Sequence, residues 1–134
     1  MLKGGCFCGK LRYEVSGTPF DSTICHCADC RRAIAAPFVA WFSIKSSEFR
    51  LVRGVPASLV SSESVLRDFC PDCGTRLTYR HEDFLGEIDI STCSLDTPEA
   101  VPPAHHTWIS QKLQWIHIAD ALPKYDGSLE PGDA

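Results

Sequence analysis

Residues 69–74 read Phe69-Cys70-Pro71-Asp72-Cys73-Gly74. This is a Cys-x-x-Cys knuckle: its tight turn brings two thiols to one point, and Gly74 supplies the positive φ that such turns often need. A knuckle holds half of a metal site. A structural zinc centre is closed by four tetrahedral sulfur or nitrogen ligands, so two more must come from elsewhere in the chain. Gly5-Cys6-Phe7-Cys8-Gly9 offers them. On an extended segment residues i and i+2 share a face, so Cys6 and Cys8 present both thiols together. Joined, the two halves make one four-cysteine site that pins the N-terminal strand to the middle of the chain.

Cys25-His26-Cys27-Ala28-Asp29-Cys30 is a third cluster. Cys25 and Cys27 are expected on one strand face, with Cys30 returning from the first turn of a short helix. Three protein ligands and a vacant fourth position is how catalytic zinc is held. The other division, with Cys70 and Cys73 completing this cluster, leaves Cys6 and Cys8 without partners. Three thiolates and a divalent ion sum to a net charge of about −1, so such a centre acidifies water less than a three-histidine one. It is thiophilic, and it suits sulfur chemistry better than hydrolysis. Arg31 and Arg32 follow Cys30 directly; they can offset added negative charge or clamp a substrate carboxylate, or they are solvated helix residues. His26 is expected to face away from the metal. Cys93 reads as a packed thiol, His105-His106 as surface or strand polarity, and Trp41, Trp108 and Trp115 as core aromatics.

The chain has 134 residues, the size of one domain, with 44% hydrophobic and 22% charged residues. A net charge of −4 gives no sequence-wide electrostatic footprint for nucleic acid. No apolar run approaches the roughly 18 residues of a membrane span, so no membrane association is expected. The N-terminal residues lack a secretory leader pattern, and the expected location is the cytoplasm. In that setting eight cysteines, seven of them clustered, point to metal ligands rather than a disulfide framework. A thioredoxin-like role for Cys70 and Cys73 would need a βαβ context, and none is visible.

Leu11, Tyr13 and Val15 alternate with Lys10, Arg12 and Glu14, a strand period closed by Gly17-Thr18-Pro19. Further strands are expected at 38–44, 49–52, 59–61, 65–69, 76–79, 87–90, 107–109 and 115–118, with a short helix at 29–35 and a turn at 97–100. Many short strands with frequent Gly and Pro punctuation predict a mainly β domain over 1–124, followed by a loose tail over 125–134.

The three motifs together, Gly5-Cys6-x-Cys8-Gly9, Cys25-His26-Cys27-x-x-Cys30-Arg31 and Phe69-Cys70-x-x-Cys73-Gly74, resemble the glutathione-dependent formaldehyde-activating enzyme family, which includes the centromere protein V type. Trp115 and Leu122-Pro123 look like the family's C-terminal part. The resemblance implies a mainly β fold of the β-tent (Mss-four-like) group. It also implies two zinc ions per chain: a structural one on Cys6, Cys8, Cys70 and Cys73, and a catalytic one on Cys25, Cys27 and Cys30. The implied activity is that of a carbon–sulfur lyase joining glutathione, the small-thiol partner, to formaldehyde. One departure is visible. Many members carry a Ser-Gly pair soon after the paired arginines, where this chain reads Ala33-Ile34-Ala35-Ala36.

Overall fold

Alternation along the strands decides which way the two cysteine clusters face. The computed structural model describes residues 1–129. In chain order the elements are β1 (Leu2–Gly5), β2 (Arg12–Val15), β3 (Phe20–Cys25), α1 (Ala28–Ile34), β4 (Val39–Lys45), β5 (Phe49–Arg53), β6 (Ala57–Ser62), β7 (Val65–Phe69), β8 (Arg76–His81), β9 (Glu87–Ser91) and β10 (His105–Thr107). They form a three-stranded sheet in the order β1-β2-β5 and a seven-stranded sheet in the order β10-β3-β4-β9-β8-β7-β6. Neighbours are antiparallel except β10, which runs parallel to β3.

On β4, Phe42 and Ile44 sit opposite Ile90 and Ile88 of β9. All four are fully buried and pack with Leu11, Tyr13 and Val15, which pairs the two sheets face to face. Burying each large apolar side chain contributes about 1.5–3 kcal/mol, so this layer supplies most of the drive to fold. Cys6 and Cys70 lie within the same cluster. The intervening β4 residues, Val39 and Trp41, turn to the other face of the large sheet, where they pack with Cys25 and Cys30. The two cysteine clusters therefore occupy opposite sides of one sheet.

Several expectations need correction. The segment 115–118 is not a strand: the Ile116 amide closes a turn on the Leu113 carbonyl, and Lys112 Nζ gathers the carbonyls of Leu113 and Ile116, which removes them from any ladder. Trp115, expected in the core, is 66% exposed. The strand placed at 107–109 is His105–Thr107 instead, and it ends where Trp108 takes a left-handed φ of 56°. Strand β3 was expected only at its Cys25 end, because its centre, Asp21-Ser22-Thr23, is polar and irregular, with Asp21 at φ 48°. Cys93 is exposed rather than packed. The tail expected to be loose from Tyr125 onward is tied at its start: carbonyls of Gly127, Tyr125 and Asp126 accept from the amides of Trp108, Ile109 and Ser110. The rest of that expectation falls on 130–134, outside the described residues. Among the described residues no helix is long and apolar enough to cross a membrane.

Candidate metal centres

Cys6, Cys8, Cys70 and Cys73 place all four sulfurs within 4.8 Å of one another. Cys6 and Cys8 do so from a turn rather than from a strand face. Strand β1 stops at Gly5, the Gly9 amide closes on the Cys6 carbonyl at 3.2 Å, and Gly9 adopts a φ of 80°. The second half comes from the turn between β7 and β8, where the Gly74 amide reaches the Cys70 carbonyl at 2.9 Å and Gly74 has φ 81°. The two turns are cross-tied by the Phe7 amide on Thr75 Oγ1 at 3.1 Å.

The Sγ–Sγ distances Cys6–Cys8 and Cys8–Cys70 are 3.5 and 3.7 Å. These are far from a disulfide bond length and close to the edge of a tetrahedron of thiolates around zinc, about 3.8 Å for a zinc–sulfur distance near 2.3 Å. Backbone amides point at the sulfurs: Leu11 at Cys6 (3.3 Å) and Cys73 at Cys70 (3.4 Å). The Thr75 hydroxyl, its own amide and the Cys8 amide hold the Cys73 thiol down to about 5. Such donors favour the thiolate form that a metal ligand requires. The donor set and its spacing fit a closed tetrahedral ion.

The second cluster is Cys25, Cys27 and Cys30, whose sulfurs also lie within 4.8 Å of one another. Cys25 is the last residue of β3. Cys27 is the N-cap of α1, with extended backbone and its sulfur accepting from the Cys30 amide at 3.2 Å. The expected common strand face for Cys25 and Cys27 is thus a strand end meeting a helix cap. Cys30 is buried in the first turn of the helix, its sulfur 3.5 Å from that of Cys25. Protons are shared unevenly within the trio. Hydrogen bonds from the Cys25 and Cys30 thiols push Cys27 down, and those with Cys27 and Cys30 push Cys25 up. A cation seated among the three sulfurs replaces those protons. Among the described residues no fourth Cys, His, Asp or Glu joins the group.

What surrounds the trio was only partly foreseen. Val39 and Trp41 form its floor, with Ile34, Tyr79 and Trp108 packed beside it. His26 does turn away from the sulfurs, but into a hydrogen-bonded chain that runs from a buried pair to exposed Asp120: its Nε2 lies 3.0 Å from Nδ1 of His106, and Nε2 of His106 lies 2.9 Å from Asp120. His105 and His106, read as surface or strand polarity, are strand residues of β10 and both buried. The hydrogen bond from His106 holds Asp120 below the usual carboxylate range, and burial pushes His26 down. Arg31 donates from Nε to the His26 carbonyl and from Nη2 to the Gln111 carbonyl; Arg32 is exposed one residue further along. The His105-His106 pair was the available signal for this hydrogen-bonded chain. Nothing in the local pattern marked Tyr79 or Asp120.

Residues 1–111 match the sequence model for the glutathione-dependent formaldehyde-activating enzyme. The chain belongs to that family. Among solved structures, a crystal structure of a Rhodobacter sphaeroides protein aligns with a TM-score of 0.60 over 92% of this chain and 98% of its own length, at 19% identity. That likeness shows a shared fold. Both cysteine clusters fall within the matched region of this formaldehyde-activating family member, and each could hold a metal ion.

Proposed function

We propose that this protein is a zinc-dependent carbon–sulfur lyase acting on adducts of glutathione or a similar small thiol with formaldehyde or another aldehyde. The observation that carries the reading is that the second cluster stops at three sulfurs and lies against an aromatic floor, whereas the first is complete at four. In this reading Cys6, Cys8, Cys70 and Cys73 hold a structural zinc, and Cys25, Cys27 and Cys30 hold the catalytic one. A zinc ion held by three thiolates supplies, when bound, a thiophilic site at which a fourth thiol stays deprotonated and nucleophilic at neutral pH.

The reaction forms one bond between the thiol sulfur and the aldehyde carbon. The carbonyl π pair becomes an alkoxide, and the proton given up by the thiol ends on that oxygen; breakdown is the reverse. The chain's own contribution is placement. Cys27 and Cys30 are fixed by the helix cap, and the loop carrying His26 is held by Arg31 and by the hydrogen bond from the His26 amide to the Thr107 carbonyl. Trp41, Ile34, Tyr79 and Trp108 remove water from one side of the trio. Holding thiolate and aldehyde together lowers the entropic part of the barrier. Glutathione carries two carboxylates, and Arg31 and Arg32, bordering the ligand loop, are the candidates read from sequence for one of them. The eight free cysteines suit a reducing compartment, with the cytoplasm as the proposed location.

Exchange spectroscopy at equilibrium tests the proposal by comparing interconversion of S-hydroxymethylglutathione with and without protein. A faster exchange in both directions, lost in Cys27→Ser with the fold intact, is the expected result. An unchanged rate for glutathione and for other small thiols would replace the lyase with a non-catalytic thiol carrier.

A further inference from the structure

Arg67 is a largely buried cation with no carboxylate among the described residues paired to it. It lies in β7, 6% exposed, with Nε donating to Ser61 Oγ at 3.1 Å. Among the described residues no carboxylate stands within ion-pair distance of it. The adjacent Asp68 is engaged elsewhere, accepting from Ser58 and pairing with Arg80 at 3.9 Å. Arg67 sits directly opposite Tyr79 on β8, its guanidinium carbon 4.9 Å from the ring centroid. Tyr79 in turn packs against the three-cysteine cluster and meets Trp41 at 6.3 Å between ring centroids. A largely buried charge without a counter-ion is costly, and a ligand carboxylate beside it would lower that cost.

The row continues past Tyr79 to Asp89, which accepts from Ser43 at 2.6 Å. There a cavity of about 210 Å³ opens, lined by Tyr79, His81, Phe84, Glu87 and Asp89. Its two carboxylates repel an anion. An anionic substrate group beside the trio is therefore steered to the Arg67 side of Tyr79 and away from the cavity.

We infer that Arg67 receives a carboxylate of the thiol substrate, with the Tyr79 ring as the platform between that carboxylate and the three-cysteine centre. This rests on the thiol-binding reading above and narrows its substrate class to thiols that also carry a carboxylate. A planar guanidinium can grip a carboxylate through two parallel hydrogen bonds, which an ammonium cannot reproduce. Arg67 is distinct from Arg31 and Arg32, which flank the trio on the helix side, so a substrate with two carboxylates would meet a cation on each side.

The test compares 3-mercaptopropionate, which bears a carboxylate, with 2-mercaptoethanol, which does not, by calorimetric titration of the metal-loaded protein. Metal content and melting temperature are measured on every variant. Wild type should prefer the carboxylate thiol by roughly 10- to 100-fold, the range of one charge-assisted interaction. Arg67→Gln should bring the two affinities within about 3-fold while both metals stay bound, and Arg67→Lys should keep an intermediate preference. If Arg67→Gln does not fold, the drop in preference in Arg67→Lys decides alone. Equal weakening of both thiols, an unchanged preference, or loss of metal from the trio would each overturn the assignment. Wild type that binds neither thiol would overturn the thiol reading itself, and this inference with it, by a result that none of the variants produces.

Discussion

The rings of His26 and His106 lie stacked with centroids 5.2 Å apart, and Nε2 of the first is 3.0 Å from Nδ1 of the second. His26 is flanked in sequence by two cysteines of the trio, Cys25 and Cys27, whereas His106 belongs to strand β10. Asp120 accepts from Nε2–H of His106, which leaves Nδ1 as an acceptor for Nε2–H of His26. One carboxylate thus sets both tautomers and clamps the loop that carries Cys25 and Cys27 from a distant part of the chain.

His106→Ala should loosen the three-cysteine site without touching the other. Outer partners of metal ligands are typically worth roughly 10- to 100-fold in affinity, and a lower value within that range is expected here because His26 is not itself a ligand. Competition titration with a chromophoric chelator should show one weakened site and one unchanged. Asp120→Asn should weaken the same site less. Equal weakening of both sites would show that His106 supports the fold generally.

The two clusters should differ in their coupling to folding. Cys70 is fully buried in the main core and joins segments 62 residues apart, as its 3.7 Å contact with Cys8 shows. Metal binding there is folding energy, on the order of 10 kcal/mol in favourable cases. Cys70→Ser should unfold or aggregate the chain. Cys30→Ser should give a folded protein with one metal per chain, measurable by circular dichroism and elemental analysis. Similar melting temperatures for the two variants would contradict the division.

Stability should carry a pH signature from Asp89. Burial pushes its carboxyl up to about 6, only partly opposed by the Ser43 hydrogen bond. The folded chain therefore holds this proton more tightly than the unfolded chain, whose value is near 4. The stability that it contributes is complete below about pH 4 and lost as pH rises through about 6, an effect on the order of 1–3 kcal/mol. Asn mimics the protonated acid, so Asp89→Asn should gain on wild type between pH 5 and pH 8. Denaturant midpoints of both proteins across that range check this, since metal release in acid affects both alike. A difference that does not change with pH would remove Asp89 as its source.

Much of the architecture was readable because period-2 alternation and turn residues act locally. The strand at Val65–Phe69 and the core of Val39–Lys45 follow directly from side chains that must be buried on a pleated face. Both cysteine groupings followed from ligand count and knuckle chemistry, although the route to convergence was misread: Cys6 and Cys8 meet through a turn, and Cys27 through a helix cap. What stayed hidden is non-local. The burial of His106 depends on the parallel pairing of β10 with β3, and Trp115 is exposed because Lys112 draws the surrounding carbonyls into turns. Arg67 and Tyr79 read as ordinary strand residues, because only the pairing of β7 with β8 places one over the other.

The short spacing of Cys25, Cys27 and Cys30 also bears on the denatured chain. Three thiols within six residues remain close to one another without any tertiary structure, so a disordered polypeptide can chelate an ion there. Whatever affinity the denatured ensemble has is subtracted from the stabilisation that the same ion gives the native state. The four-cysteine site has no such counterpart, because its halves drift apart once the sheets separate. Refolding in the presence of metal should therefore begin with an ion already seated on the trio, while uptake of the second ion reports that the sheets have closed.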